Sequence, residues 1–222
     1  ESRIDVVYNG VGDVFRPVDE ATKTEVRIEF TDGAPYFICV GSLHPRKNIA
    51  RLLAAFDELL RAHPSDLRLL IVGESFWWDD RMKEAFNSMQ HKDRVVFTGR
   101  LERERLNAAI GGAVALAFVS YFEGFGIPVA EAMRCGVPVV AAEATSLPEV
   151  AGDAALYCDP FNITDIADAL HKVWSDKALQ EQLRTAGLKR AERYTWDQAA
   201  TTLWASFERM CADAGLHTTA RK

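Results

Sequence analysis

The segment from Ala113 to Ala142, AVALAFVSYFEGFGIPVAEAMRCGVPVVAA, admits few folds. Ala113 to Val119 is a short, bounded apolar run, as expected of a buried parallel strand, and the glycines after it forbid its continuation past Ser120. Pro128 suits the first turn of a helix, where its missing N–H costs nothing. Val129, Ala130, Ala132 and Met133 then give a largely buried helix that stops around Cys135-Gly136. Val137 to Ala142 is the next strand. A strand, a glycine loop, a helix and a strand within about thirty residues make a βαβ crossover, which commits the chain to a parallel sheet.

The same segment carries two glutamates, Glu123 and Glu131, with seven residues between them. The free N–H groups of Gly124, Phe125, Gly126 and Ile127 fall at the positive end of the helix, where an anion or a sugar hydroxyl can be held. Glu131 lies one turn further in. A carboxylate there repels phosphate, so it is better suited to accepting hydrogen bonds from a vicinal diol such as a ribose. Standing alone, it could equally complement the helix dipole.

The rest of the chain alternates in the same way. Strands are expected at Ile4–Tyr8, Tyr36–Val40, Leu67–Val72, Arg94–Phe97 and Ala154–Tyr157, with a loop over Val11–Lys23. Helices are expected from Ile49 to about Ala62, capped by Asn48, and then near 80–89 and 102–110. From Thr164 onward the pattern is wholly helical, over 165–174, 177–193 and 197–212, with Thr195 and Gln198 forming a capping box and the tail after Gly215 frayed. This is an α/β chain: a Rossmann-like doubly wound parallel sheet with a helical C-terminal segment. Ligands in such sheets bind outside the carboxyl ends of the strands, and Gly41, Gly73, Gly99 and Gly124 all follow strand ends on one edge.

Composition narrows the function. With 222 residues and 48% hydrophobic content the chain can bury a core, and a net charge of −6 argues against a general nucleic-acid binder. The four cysteines, Cys39, Cys135, Cys158 and Cys211, show no CxxC spacing, which points to a reducing compartment rather than to a disulfide scaffold or a zinc site. No apolar run is long enough to span a bilayer. The abrupt start on an apparent strand suggests a fragment cut at a domain boundary.

With these loops in hand, the sequence resembles the C-terminal, donor-binding domain of retaining GT-B glycosyltransferases of the large GT4 family. The likeness runs from Val6-Val7-Tyr8-Asn9-Gly10-Val11 to Tyr194-Thr195-Trp196. Glu123-Gly-Phe-Gly-Ile-Pro-Val-Ala-Glu131 is similar to the family's paired-glutamate motif, and Val40-Gly41-Ser42-Leu43-His44-Pro45-Arg46-Lys47-Asn48 to its phosphate loop. The resemblance implies one half of a GT-B fold, divided as 1–195 for the nucleotide-sugar domain, 196–213 for a closing helix and 214–222 for a flexible tail. It also implies that the acceptor-binding N-terminal domain is missing, so the polypeptide alone should bind donor and hardly catalyse.

By the same resemblance, Lys47 and Arg46 neutralise the donor diphosphate as it leaves, and Glu131 grips the ribose. Glu123, with the backbone of Gly124, Phe125, Gly126 and Ile127, holds the sugar and the distal phosphate. Gly41 and Ser42 line the phosphate loop, and Gly99, Arg100 and Leu101 frame the base. Ser42 stands where many members carry arginine, which leaves Arg46 to replace one contact. The implied reaction transfers a hexose from a nucleotide diphosphate sugar with retention, needs no cofactor or metal because Lys and Arg supply the charge, and takes GDP-mannose in preference to UDP-sugars. The phosphate loop looks most like that of bacterial mannosyltransferases of surface polysaccharide synthesis. The acceptor would be a glycan or glycolipid, and the location the cytoplasm, at most peripheral to the inner membrane face. The rival readings are a non-catalytic nucleotide-sugar-binding module and another GT-B enzyme, a phosphorylase or an epimerase.

Lesser features carry a plain reading beside a sharper one. His44 is a solvent-exposed loop histidine or a phosphate contact. Phe76-Trp77-Trp78 packs within the domain or forms a lip of the cleft, while Arg100 and Glu149 are loop charges near the same edge. Leu203, Trp204, Phe207 and Met210 have the spacing of a core-packing helix stripe, part of which would be exposed if the helix reaches toward the missing domain.

Overall fold

The computed structural model describes residues 4–74 and 78–213. Six strands, β1 (Tyr36–Val40), β2 (Arg68–Val72), β3 (Val95–Gly99), β4 (Ala115–Phe118), β5 (Val139–Ala142) and β6 (Ala155–Cys158), form one sheet. Their order is β3-β2-β1-β4-β5-β6, and every pair is parallel. All five residues of β1 are buried, because a strand covered by helices on both faces must be apolar throughout.

Successive β1 side chains feed two cores. Tyr36, Ile38 and Val40 join one, and Phe37 and Cys39 the other. The first core is closed by α1 (Glu20–Thr31), α4 (Arg103–Gly111) and α5 (Ile127–Arg134). The second is closed by α2 (Ile49–Ala62), α3 (Asp80–Ser88) and α7 (Ile163–Ser175). A short α6 (Leu147–Ala151) and the longer α8 (Lys177–Ala191) complete the packing, and α9 (Trp196–Asp213) follows. The strand order reverses between β1 and β4, and the crevice at such a switch point is where doubly wound sheets hold ligands.

Several expectations need correction. Ile4–Tyr8 is not a strand: it pairs with no described strand, and Ile4 and Val6 are exposed. The expected loop over Val11–Lys23 gives way at Glu20 to α1, started by the Asp19 carboxylate accepting from the Thr22 N–H at 2.8 Å. Asn48 stands at the N-terminus of α2 in the left-handed region, φ 60°, and its side chain does not cap the helix. Its Nδ2 donates instead to the Val119 and Pro160 carbonyls, at 3.0 and 2.6 Å, which ties the loop after β1 to the end of β4. At α9, the Thr195 hydroxyl does accept from the Gln198 N–H, at 3.1 Å.

The α9 stripe is not core. Leu203, Trp204, Phe207 and Met210 are 47, 62, 49 and 58% exposed. Ser206 and Arg209 of that helix engage Asp5 near the N-terminus, while the four apolar side chains stay about half exposed or more. Phe76, Trp77 and the tail after Gly215 lie outside the described residues; Trp78 packs edge-on against Phe86 and Phe97. Among the described residues no helix is long and apolar enough to cross a membrane.

Candidate functional site

The loop after β1 is built to lay a lysine across its own backbone. Gly41 has φ 140°, and a Cβ there would stand 2.9 Å from Lys47 Cε, so glycine is what lets that side chain pass. A single 3₁₀ turn, Pro45–Lys47, is started by the His44 ring accepting from the Arg46 N–H at 3.2 Å. The turn delivers Arg46 and Lys47 to the end of β4, where the Tyr121 N–H donates to the Arg46 carbonyl at 3.1 Å.

There both cations meet one carboxylate. Lys47 Nζ lies 2.7 Å from Glu123 Oε1, and an Arg46 Nη lies 2.7 Å from Glu123 Oε2. Lys47 and Glu123 are each only 8% exposed. Lys47 Nζ also stands 4.6 Å from the Phe118 ring centroid, which shields one side of the ammonium from water. Burial raises the Glu123 pKa, but the hydrogen bonds and charges of Lys47 and Arg46, with help from Ser120, outweigh it and hold the carboxyl below its ordinary value. Glu123 is therefore held as a carboxylate at neutral pH, shared by two basic side chains.

The backbone under Glu123 is fixed by residues the sequence reading did not single out. The Glu123 N–H donates to Thr145 Oγ1 at 3.1 Å, and the Ser146 hydroxyl donates to the Glu123 carbonyl at 3.0 Å. The available signal was a short polar pair three residues after a buried strand, on the same edge as the glycine loops. Beyond Glu123, Gly126 adopts φ 96° and starts α5, with Pro128 in the first turn. No described residue accepts from the N–H groups of Gly124, Phe125, Gly126 or Ile127. The Phe125 ring packs edge-on against Tyr194, with centroids 5.4 Å apart.

Glu131 sits apart from the ion cluster. It lines a cleft of about 380 Å³ with Gly41, Ser42, Glu74, Arg100, Leu101 and Arg103. Burial pushes its pKa up to about 7, against the pull of the Arg103 guanidinium. The structure thus gathers the expected residues into two adjoining groups: Arg46, Lys47 and Glu123 at the β1 and β4 ends, and Gly41, Ser42, Arg100, Leu101 and Glu131 around the cleft.

Three expected residues fall elsewhere. Gly99 borders a neighbouring apolar hollow with Leu43, Trp78, Phe86 and Phe97. His44 is engaged in starting its turn. Glu149 accepts from the Tyr8 hydroxyl at 2.8 Å and does not line the cleft. A larger concavity of about 580 Å³ opens on the opposite edge of the sheet, past Pro35, Val114 and Pro138 at strand starts. It holds none of these residues and lies away from the carboxyl ends that bind ligands in this architecture. Among the described residues no three His, Cys, Asp or Glu side chains gather as a metal-holding group.

Comparison with known proteins agrees with this fold. The family model described as "Glycosyl transferases group 1" matches residues 21–190. The O-antigen chain mannosyltransferase B of Escherichia coli is 33% identical over 166 residues, which cover 75% of this chain and 44% of that protein, so the chain spans less than half of this relative. Sucrose-phosphate synthase of Thermosynechococcus elongatus superposes with a TM-score of 0.79 at 25% identity, over 94% of this chain and 53% of that one. Anabaena Alr3699/HepE, solved in complex with UDP-glucose, superposes with a TM-score of 0.80 at 20% identity, over 94% of this chain and 57% of that one, a likeness of fold. The sheet order and the extent of the family match lead to one assignment: this chain belongs to the group 1 glycosyltransferase family, as the C-terminal half of a GT-B fold.

Proposed function

We propose that this chain binds the nucleotide diphosphate sugar for a retaining hexosyltransferase, with mannose from GDP-mannose as the transferred group and a glycan or glycolipid as acceptor. The observation that carries the reading is the buried Lys47–Glu123 pair, with the partly exposed Arg46 on its outer oxygen, beside the open N-terminus of α5. A diphosphate placed there meets two cations and a row of N–H donors, while the cleft next to it offers the Glu131 carboxylate to a ribose.

In this reading Lys47 and Arg46 neutralise the negative charge that grows on the diphosphate as the glycosidic bond breaks. That is electrostatic catalysis by preorganised groups, with the side chains supplying the charge a metal provides in other transferases. Glu123 serves twice: before binding it keeps both cations aimed, and on binding it gives them up to phosphate and accepts from a sugar hydroxyl. Thr145 and Ser146 position it through its backbone. The mannosyltransferase relative supports mannose, while the UDP-glucose in HepE keeps a uridine donor as the alternative. In this reading a second half of the GT-B fold holds the acceptor, and the place of work is the cytoplasm, at most peripheral to the inner membrane face.

The test joins this chain to an N-terminal half taken from the mannosyltransferase relative and measures sugar transfer. Release of GDP with formation of an α-mannoside is expected. Tight binding of the nucleotide sugar with no turnover would favour a non-catalytic binding module instead.

A further inference from the structure

Beside Glu131, the cleft holds a second carboxylate that no described residue engages. Glu74 follows β2 and lines the cleft with Arg100 and Arg103. Three hydrogen bonds hold the backbone at Glu74 and just before it. The Leu43 N–H donates to the Glu74 carbonyl at 3.0 Å, the Gly73 N–H to the Gly99 carbonyl at 2.9 Å, and the Gly41 N–H to the Val72 carbonyl at 2.9 Å. Gly73 has φ 149°, and a Cβ on it would lie 2.0 Å from the Gly41 carbonyl oxygen, so the loops after β1, β2 and β3 are held as one rim. Glu74 is partly buried on that rim, and Phe15, Val40 and Leu106 supply apolar walls to the same cleft.

A carboxylate that no described residue engages, on a rigid rim with a guanidinium from the next loop, is a hydrogen-bonding pattern with one matching base. Guanine offers two adjacent donors, N1–H and the exocyclic N2–H, which a carboxylate accepts as a pair. It also offers the O6 and N7 acceptors, which a guanidinium takes bidentately. Uracil presents a single N3–H between two carbonyl oxygens, so a carboxylate gains one bond and faces two repelling oxygens. Adenine presents one amino donor beside the N1 lone pair and fares no better. We infer that Glu74 is a base-reading residue that selects guanosine over uridine and adenosine diphosphates, with Arg100 facing the O6/N7 side of the ring.

This inference rests on the donor-binding reading above, and one set of titrations separates the two. The chain is titrated calorimetrically with GDP, UDP and ADP, as wild type and as Glu74→Gln, an isosteric change at a rim position. Wild type is expected to favour GDP. Glu74→Gln is expected to lose about tenfold to a hundredfold in GDP affinity, the worth of one bidentate base contact, while its UDP affinity stays put and reports that the cleft is intact. Wild type binding UDP or ADP at least as tightly as GDP overturns the guanine assignment, as does an equal loss for every nucleotide in Glu74→Gln, or no loss at all. Those outcomes leave donor binding standing. Absence of binding for all three diphosphates in the wild type overturns the donor reading, and the base assignment with it.

Discussion

Lys47 and Glu123 are 76 residues apart in the sequence, yet their charged atoms lie 2.7 Å apart beneath the surface, with Arg46 on the second oxygen of the same carboxylate. A buried ion pair is often no more stabilising than an apolar pair of like shape, but removing one member leaves an uncompensated charge and is strongly destabilising. The geometry is thus costly to break and suited to being re-partnered by a ligand that brings its own negative charge.

Glu123→Gln separates these two effects. Lys47 and Arg46 lose their counter-ion, so thermal unfolding should show a loss of about 3 kcal/mol. The carboxylate that competes with phosphate is also gone, so GDP should bind several-fold more tightly by calorimetry. Weaker binding of the bare diphosphate in this variant would contradict a competing role for Glu123.

Glu131 gives a pH dependence of definite sign. Its folded pKa is raised from 4.5 to about 7 by burial, so the folded chain holds this proton better than the unfolded chain does. Stability from this group is therefore lost as pH rises from about 4.5 through 7, by at most about 3 kcal/mol. Glu131→Gln should raise Tm at pH 8 and leave it nearly unchanged at pH 4.5, as scanning calorimetry would record. Ionised Glu131 accepts from a ribose diol better than the neutral acid, so wild-type nucleotide affinity should increase between pH 6 and 8. In Glu131→Gln that slope should flatten.

At Gly73 the backbones themselves are in contact. Gly73→Ala brings a Cβ to 2.0 Å from the Gly41 carbonyl oxygen at φ 149°, and neither partner is a side chain that can turn away. A loss of about 3 kcal/mol or more in denaturant unfolding is expected, together with loss of nucleotide binding as the rim shifts.

The α9 stripe makes the opposite prediction. Trp204→Ser with Phe207→Ser should change the stability of this chain by no more than about 0.5 kcal/mol per site, because both side chains are already exposed. A core-packed pair would cost several times that on urea unfolding.

How much of this was legible in the sequence varied with how local each signal was. Strands β1, β4 and β5 are buried on both faces, so their continuous apolar runs could be read directly. The helix α1 buries only Val26 and Thr31, which leaves no apolar stripe to recognise. Ile4–Tyr8 has the composition of a strand, but strands need a neighbour and none of the described ones pairs with it. The glycine loops and paired glutamates announced the sheet edge on which the candidate site lies, since topology alone puts strand ends together. The sharing of Glu123 by Lys47 and Arg46, its support from Thr145 and Ser146, and the place of Glu74 on the cleft beside Arg100 and Arg103 all depend on side chains from different loops meeting in space, which no spacing encodes.

The central claim is that the Lys47–Arg46–Glu123 cluster is a diphosphate grip, and Lys47→Ala tests it most directly. In a calorimetric titration at pH 8, wild type should bind GDP and Lys47→Ala should lose about a hundredfold or more in affinity, with a smaller loss for guanosine, which lacks the phosphates. Equal GDP affinity in the folded variant and the wild type would contradict the account.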